Sequence, residues 1–89
     1  MDSKVFIENI EEQFVPISPI IEFAINKQLA EIGATKDDLD GRQAMMFIEN
    51  MTEALELFLG NAEAKKKRKY MISLLREYAP EYFEERSLI

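Results

Sequence analysis

The chain has no cysteine, no histidine and no tryptophan, and only three of its 89 residues are glycine and three proline. Without cysteine there is no disulfide framework, no thiolate nucleophile and no cysteine-based zinc site. Without histidine the common Ser–His and Cys–His catalytic arrangements are excluded, as is the Glu-x-x-His pair that holds two metals in helical bundles. Serines are few (Ser3, Ser18, Ser73, Ser87), and Ser18 stands where a helix cap is wanted. Gly33, Gly41 and Gly60 lie too far apart to form a phosphate-cradling loop. The expectation is a chain that is not an enzyme, with no cofactor, no resident metal and no small-molecule substrate. Long hydrophobic runs are also missing. The longest, Ala44 to Ile48, falls far short of the roughly 20 residues of a membrane span. The N-terminus shows no charged n-region followed by an apolar one. These absences point to a cytoplasmic chain that does not enter a membrane.

What is present is a helix-former vocabulary of Glu, Lys, Leu, Ala and Met. Apolar residues make up 47% of the chain, ample for a core. At this length the chain reads as one domain, residues 1–89, able to bury roughly 60–65% of its unfolded surface. The net charge of −6 is uneven. Five of the 11 basic residues are consecutive, Lys65, Lys66, Lys67, Arg68 and Lys69, while 17 acidic residues are spread over the rest. The result is an acidic body with one basic block.

The stretch Gly41–Gly60 organises the pattern. Asp40 is placed to cap it, Gln43 completes a weak capping box, and Gly60 follows as a left-handed stop. Ala44, Ile48, Met51, Leu55 and Phe58 recur at steps of 4, 3, 4 and 3, the stripe of an amphipathic helix. Phe47, Ala54 and Leu57, and then Met45, Met46 and Leu59, widen it. Before it, Ser3 to about Gln13 predicts a helix with Phe6, Ile7, Ile10 and Phe14 on one face. Val15-Pro16-Ile17 breaks that helix. Ser18-Pro19 restarts the chain as a helix to about Ile32, stopped by Gly33. Its core face is Ile21, Ala24 or Ile25, Leu29 and Ile32, and its start, with Ile20 and Phe23, is expected to be deeply packed. Thr35-Lys36-Asp37-Asp38 has the form of a capping box at a helical turn, with Leu39 plugging the core. After Gly60-Asn61, Asn61 is placed to cap a helix from Ala62 to about Ala79, antiparallel to its predecessor. A short helix from Glu81 to about Arg86 follows Pro80, with Tyr82, Phe83, Leu88 and Ile89 placed to tie it down. The fold expected is all-α: a compact bundle of four main helices plus a short C-terminal helix. The expected core is Ile10, Phe14, Ile21, Ile25, Leu29, Ile48, Met51, Leu55, Phe58, Met71, Leu74 and Tyr78.

Two surfaces compete for function. The first is apolar. A small chain this rich in apolar residues can leave a patch exposed, and methionine adapts to irregular partners. The residues expected to meet a protein partner, or a second copy in a homo-oligomer or hetero-complex, are Met45, Met46, Leu59, Val5 and Phe6. The second is the basic run Lys65–Lys69, which offers an anion or nucleic-acid site. Five cations near a helix N-terminus reinforce its positive dipole end and call for a counter-charge. Yet they wrap around the helix axis, only Tyr70 is adjacent for stacking, and the acidic body repels phosphate. Nucleic acid is the disfavoured partner, and compensation within the chain, by Asp37, Asp38, Glu63 or the Glu81/Glu84/Glu85 group, is expected instead. Glu49, Glu53 and Glu56 share one side of the central helix, where paired carboxylates can bind a divalent metal. With no histidine to join them, a solvated helix face is the expected reading.

Overall fold

In the computed structural model, residues 1–87 are described, with side chains as far as Glu84. They form α1 (Ser3–Phe14), a 3-10 turn (Val15–Ile17), α2 (Ile20–Glu31), α3 (Gly41–Leu59), α4 (Asn61–Tyr78) and α5 (Pro80–Ser87). No strand occurs among the described residues; the nearest thing is one isolated bridge, Thr35 to Asp38. The all-α bundle of four main helices and a short C-terminal one is therefore the observed architecture, with a radius of gyration of 12.5 Å. Leu88 and Ile89, expected to tie down the tail, lie outside the described residues.

Local chemistry explains the boundaries. Asp2 Oδ1 accepts a hydrogen bond from the Val5 N–H at 3.3 Å and caps α1. Proline 16 does not break the chain sharply; Val15–Ile17 tightens into a 3-10 turn that carries α1 towards α2. Ser18 contributes its carbonyl rather than its side chain, accepting from the Ile21 N–H at 3.0 Å. Thr35–Asp38 is a tight turn, closed by the Asp38 N–H on the Thr35 carbonyl at 3.2 Å, and not the helical turn expected there. Leu39 is buried and seals the connection, as expected. The capping box on α3 is complete: the Gln43 N–H donates to Asp40 Oδ1 at 2.8 Å, and the Asp40 N–H donates to Gln43 Oε1 at 3.1 Å.

The α3–α4 connection is tighter than expected. Gly60 alone ends α3 and begins α4, with φ 83° and ψ 169°. This region of backbone space is essentially closed to residues with a Cβ. Asn61 is already the first residue of α4 and provides no cap. A one-residue link forces α3 and α4 to lie side by side, and they form the most extensive helix pair in the molecule.

The core is one contiguous cluster. It contains Phe6, Ile7, Ile10 and Phe14 of α1, Ile21, Ala24, Ile25 and Leu29 of α2, Ala44, Phe47, Ile48, Met51 and Leu55 of α3, and Ala64, Met71, Leu74 and Leu75 of α4. Tyr78 sits at its margin, edge-on to Phe6 with ring centroids 6.5 Å apart, and its hydroxyl accepts from Asn9 Nδ2 at 3.1 Å. Phe58, placed in the core by its periodicity, is half-exposed. The start of α2 lies beside the last turns of α3, but a groove remains between them, and Phe58 edges it instead of being covered. Ile20 and Phe23, expected to be deeply packed, are exposed along the same groove. Phe23 lies about 200° around α2 from both Ile21 and Ile25, which already face the core.

Candidate docking groove

Apart from Met46, the large exposed apolar residues of α2 and α3 are not scattered. Ile20, Phe23, Ala24, Lys27, Gln28 and Glu31 of α2, with Asn50, Glu53, Ala54, Leu57 and Phe58 of α3, line one groove of about 390 Å³. Its geometry follows from helical spacing. On each helix the lining residues recur every three or four positions, one row over from the row that enters the core. Small residues, Ala24 and Ala54, are among them. Ile20, Phe23, Leu57 and Phe58 supply the large apolar surface and are 49%, 70%, 86% and 47% exposed. The polar members are Lys27, Gln28, Glu31, Asn50 and Glu53. An apolar channel between two helices is the shape that receives a third helix.

Sequence spacing had pointed to Met45, Met46, Leu59, Val5 and Phe6 instead, and the fold does not bring these into one surface. Phe6 has no accessible surface, because it belongs to the α1 row that closes on α4; in this conformation it touches no partner. Met45 and Leu59 are partly buried against the core. Met46 and Val5 are exposed, on different helices. None of the five lines the α2–α3 groove. The signal that could have located it is the surplus of large apolar residues beyond the buried stripes. Ile20 and Phe23 are surplus to Ile21 and Ile25, and Leu57, two residues past Leu55, points away from the core.

The basic run lies on the other side of α3. Arg68 donates from Nε and Nη2 to Glu49 Oε1, at 2.9 and 2.7 Å. Lys66 and Lys67 pair with Glu63 at 3.4 and 3.6 Å. The hydrogen bond from Lys66, with the charges of Lys66 and Lys67, holds the Glu63 carboxyl below its usual range. Lys65, Arg68 and Lys69 share a polar cleft with Glu49, Glu53 and Glu56. Compensation therefore comes partly from Glu63, as expected, and partly from the α3 carboxylates, which had not been matched to it. The reason is the glycine link: by laying α4 along α3, it sets the basic run beside a carboxylate row distant in sequence. Lys65 and Lys69 are exposed, with no ion pair among the described residues.

Among the described residues no group of three or more acidic side chains is placed to hold a metal ion. No helix in that range is long and apolar enough to cross a membrane. Away from both surfaces, Lys36 pairs with Glu11 at 2.7 Å and fastens the α2–α3 connection to α1. Tyr70 packs on Phe14 with ring centroids 5.7 Å apart. Burial, and secondarily the Glu12 carboxylate, raises its hydroxyl above the ordinary tyrosine value. Compared with known proteins, the chain matches no family model, no curated protein and no solved structure.

Proposed function

We propose that this chain is a small, cytoplasmic, non-enzymatic helical interaction or assembly module, and that the α2–α3 groove is its contact surface. The observation carrying this reading is the convergence of Ile20, Phe23, Leu57 and Phe58, two half-exposed and two largely exposed, on one channel. Scattered exposed apolar side chains need no explanation, but a contiguous patch does. Taking a large side chain as roughly 200 Å², these four expose on the order of 500 Å². That matches the largest apolar patch of a typical monomer, roughly 300–600 Å², which is often a functional one. The helix-in-groove mode fits best, because an amphipathic helix places large side chains at i, i+3, i+4 and i+7 into such a channel.

Leu57→Glu tests the reading, because a side chain this exposed contributes almost nothing to the monomer fold. Tagged wild-type and variant chains would be co-expressed with an untagged copy, and captured partners compared at physiological salt after nuclease treatment. The expected result is a defined protein, foreign or the untagged copy, that wild type retains and Leu57→Glu loses. Identical capture by both chains, or none by either from a chain that also stays monomeric at high concentration, overturns the assignment.

Anion or nucleic-acid binding through Lys65–Lys69 has weaker support. Three of the five cations are already paired within the chain, and a carboxylate row shares their cleft. That reading requires binding that falls steeply with salt.

A further inference from the structure

We infer that the occupant of the α2–α3 groove is the same groove of a second copy of this chain, in an isologous two-fold pair. This rests on the reading of the groove as a contact surface and adds the identity of the partner.

The polar lining is the first reason. A groove made for a basic helix would be lined by carboxylates, and one made for an acidic helix by lysines. Here the lining carries both signs, Lys27 with Glu31 and Glu53, and the uncharged Gln28 and Asn50. A surface that meets itself uses such a mixture, because a charge can find its opposite on an identical face; Lys27 has two carboxylates to meet, and each face keeps one carboxylate in excess. With α2 of each copy lying over α3 of the other, Lys27 of one copy is set near Glu53 of its mate, twice by symmetry.

The placement of the acidic surplus is the second reason. A net charge of −6 opposes self-pairing unless it lies away from the interface. The α3 carboxylates nearest the groove, Glu49, Glu53 and Glu56, share their far cleft with Lys65, Arg68 and Lys69. Their field is locally balanced, so the groove is not strongly negative. Glu8, Glu11 and Glu12 of α1, and Asp37, Asp38 and Asp40 of the connection, do not line it. A foreign basic helix would find little excess attraction here, and a second copy little repulsion.

Area is the third. The four large apolar side chains supply on the order of 500 Å², and the stems of Lys27, Gln28 and Glu53 add to it. A standard interface takes about 800 Å² from each partner. The face is therefore in the range of a small, reversible dimer, and concentration dependence in the micromolar range is the expected behaviour. Two grooves with alanines among their linings and phenylalanine and leucine at their edges interlock, each large residue entering the channel of the other copy.

Sedimentation equilibrium on the full chain, from low micromolar to roughly millimolar, tests this. The mass should rise from that of one chain to that of two. Leu57→Glu should raise the dissociation constant by at least about 100-fold, as expected for a charge buried against an apolar surface. Lys27→Glu and Glu53→Lys should each weaken pairing several-fold, and the double exchange should recover most of the loss, because it restores opposite charges across the two-fold. Circular dichroism on each variant checks that the helices persist. A chain that stays monomeric throughout overturns the self-pairing, as does a dimer whose strength is the same in Leu57→Glu. A monomer that captures a foreign protein through Leu57 overturns the second copy while leaving the groove as a contact surface. A monomer whose captures ignore Leu57 overturns both.

Discussion

The two flanks of α3 meet different neighbours. Towards α4, a one-residue link holds the partner helix alongside, the core row is sealed, and the carboxylates of α3 share a cleft with the basic run. Towards α2, a nine-residue connection and a shorter helix leave a channel edged by Phe23, Leu57 and Phe58. Both flanks are rich in apolar residues. What separates core from surface is therefore not composition but whether a neighbouring helix is held closely enough to cover the row.

The sharpest way to break this contrast is truncation on each flank. Phe47→Ala, from the sealed row, should cost about 3–5 kcal/mol in urea unfolding. Phe58→Ala, half-exposed in the open channel, should cost about 1 kcal/mol, and Leu57→Ala should stay within about 0.5 kcal/mol. Equal losses at Phe47 and Phe58 in a dilute monomer would mean that the channel is closed in solution.

The link itself comes next. Gly60→Ala puts a Cβ where φ is 83° and ψ 169°, and should cost about 1–3 kcal/mol although nothing crowds the new atom. A neutral result would show that α3 and α4 are held together by packing alone. Smaller still is the ion pair across the hairpin. Arg68 and Glu49 are both about half exposed, so a double-mutant cycle with Arg68→Gln and Glu49→Gln should return no more than about 1 kcal/mol, less at high salt. A coupling well above that would make the pair a structural clamp.

The smallest expected effect is the dependence on alkaline pH at Tyr70. Its hydroxyl titrates above 10.0 in the folded chain, chiefly because it is buried against Phe14 and secondarily because Glu12 is near. A raised folded value means that its stabilising contribution is complete below the unfolded value and lost as pH climbs through the folded one. Unfolding midpoints from about pH 9 to 11 should fall more steeply in wild type than in Tyr70→Phe. Identical slopes would place the hydroxyl in water.

Much of the bundle was legible from local signals. The Asp40–Gln43 box, the glycines after α2 and α3, and the 3-4 spacing of the apolar residues act within a few residues of chain, so their physics is visible in sequence. Gly33, with φ 69°, ends the first helical pair as read. Errors arose where a neighbour decides. Phe58 has the right phase for the core, yet α2 meets it across an open groove and leaves it half-exposed. Phe6, expected at a contact surface, is covered by α4. Glu49 is solvated, as expected, but its partner Arg68, 19 residues away, is set beside it only by the hairpin.

By itself, then, the sequence determined an all-helical chain without histidine or cysteine chemistry, with its helices started and stopped by caps, a proline and glycines. Those terms are local backbone and side-chain energies. Only the tertiary structure decided which apolar rows are covered, which charges are paired and where a channel remains open. These depend on how the helices and their links set one surface against another, since burial is a property of two surfaces and one helix supplies only one of them.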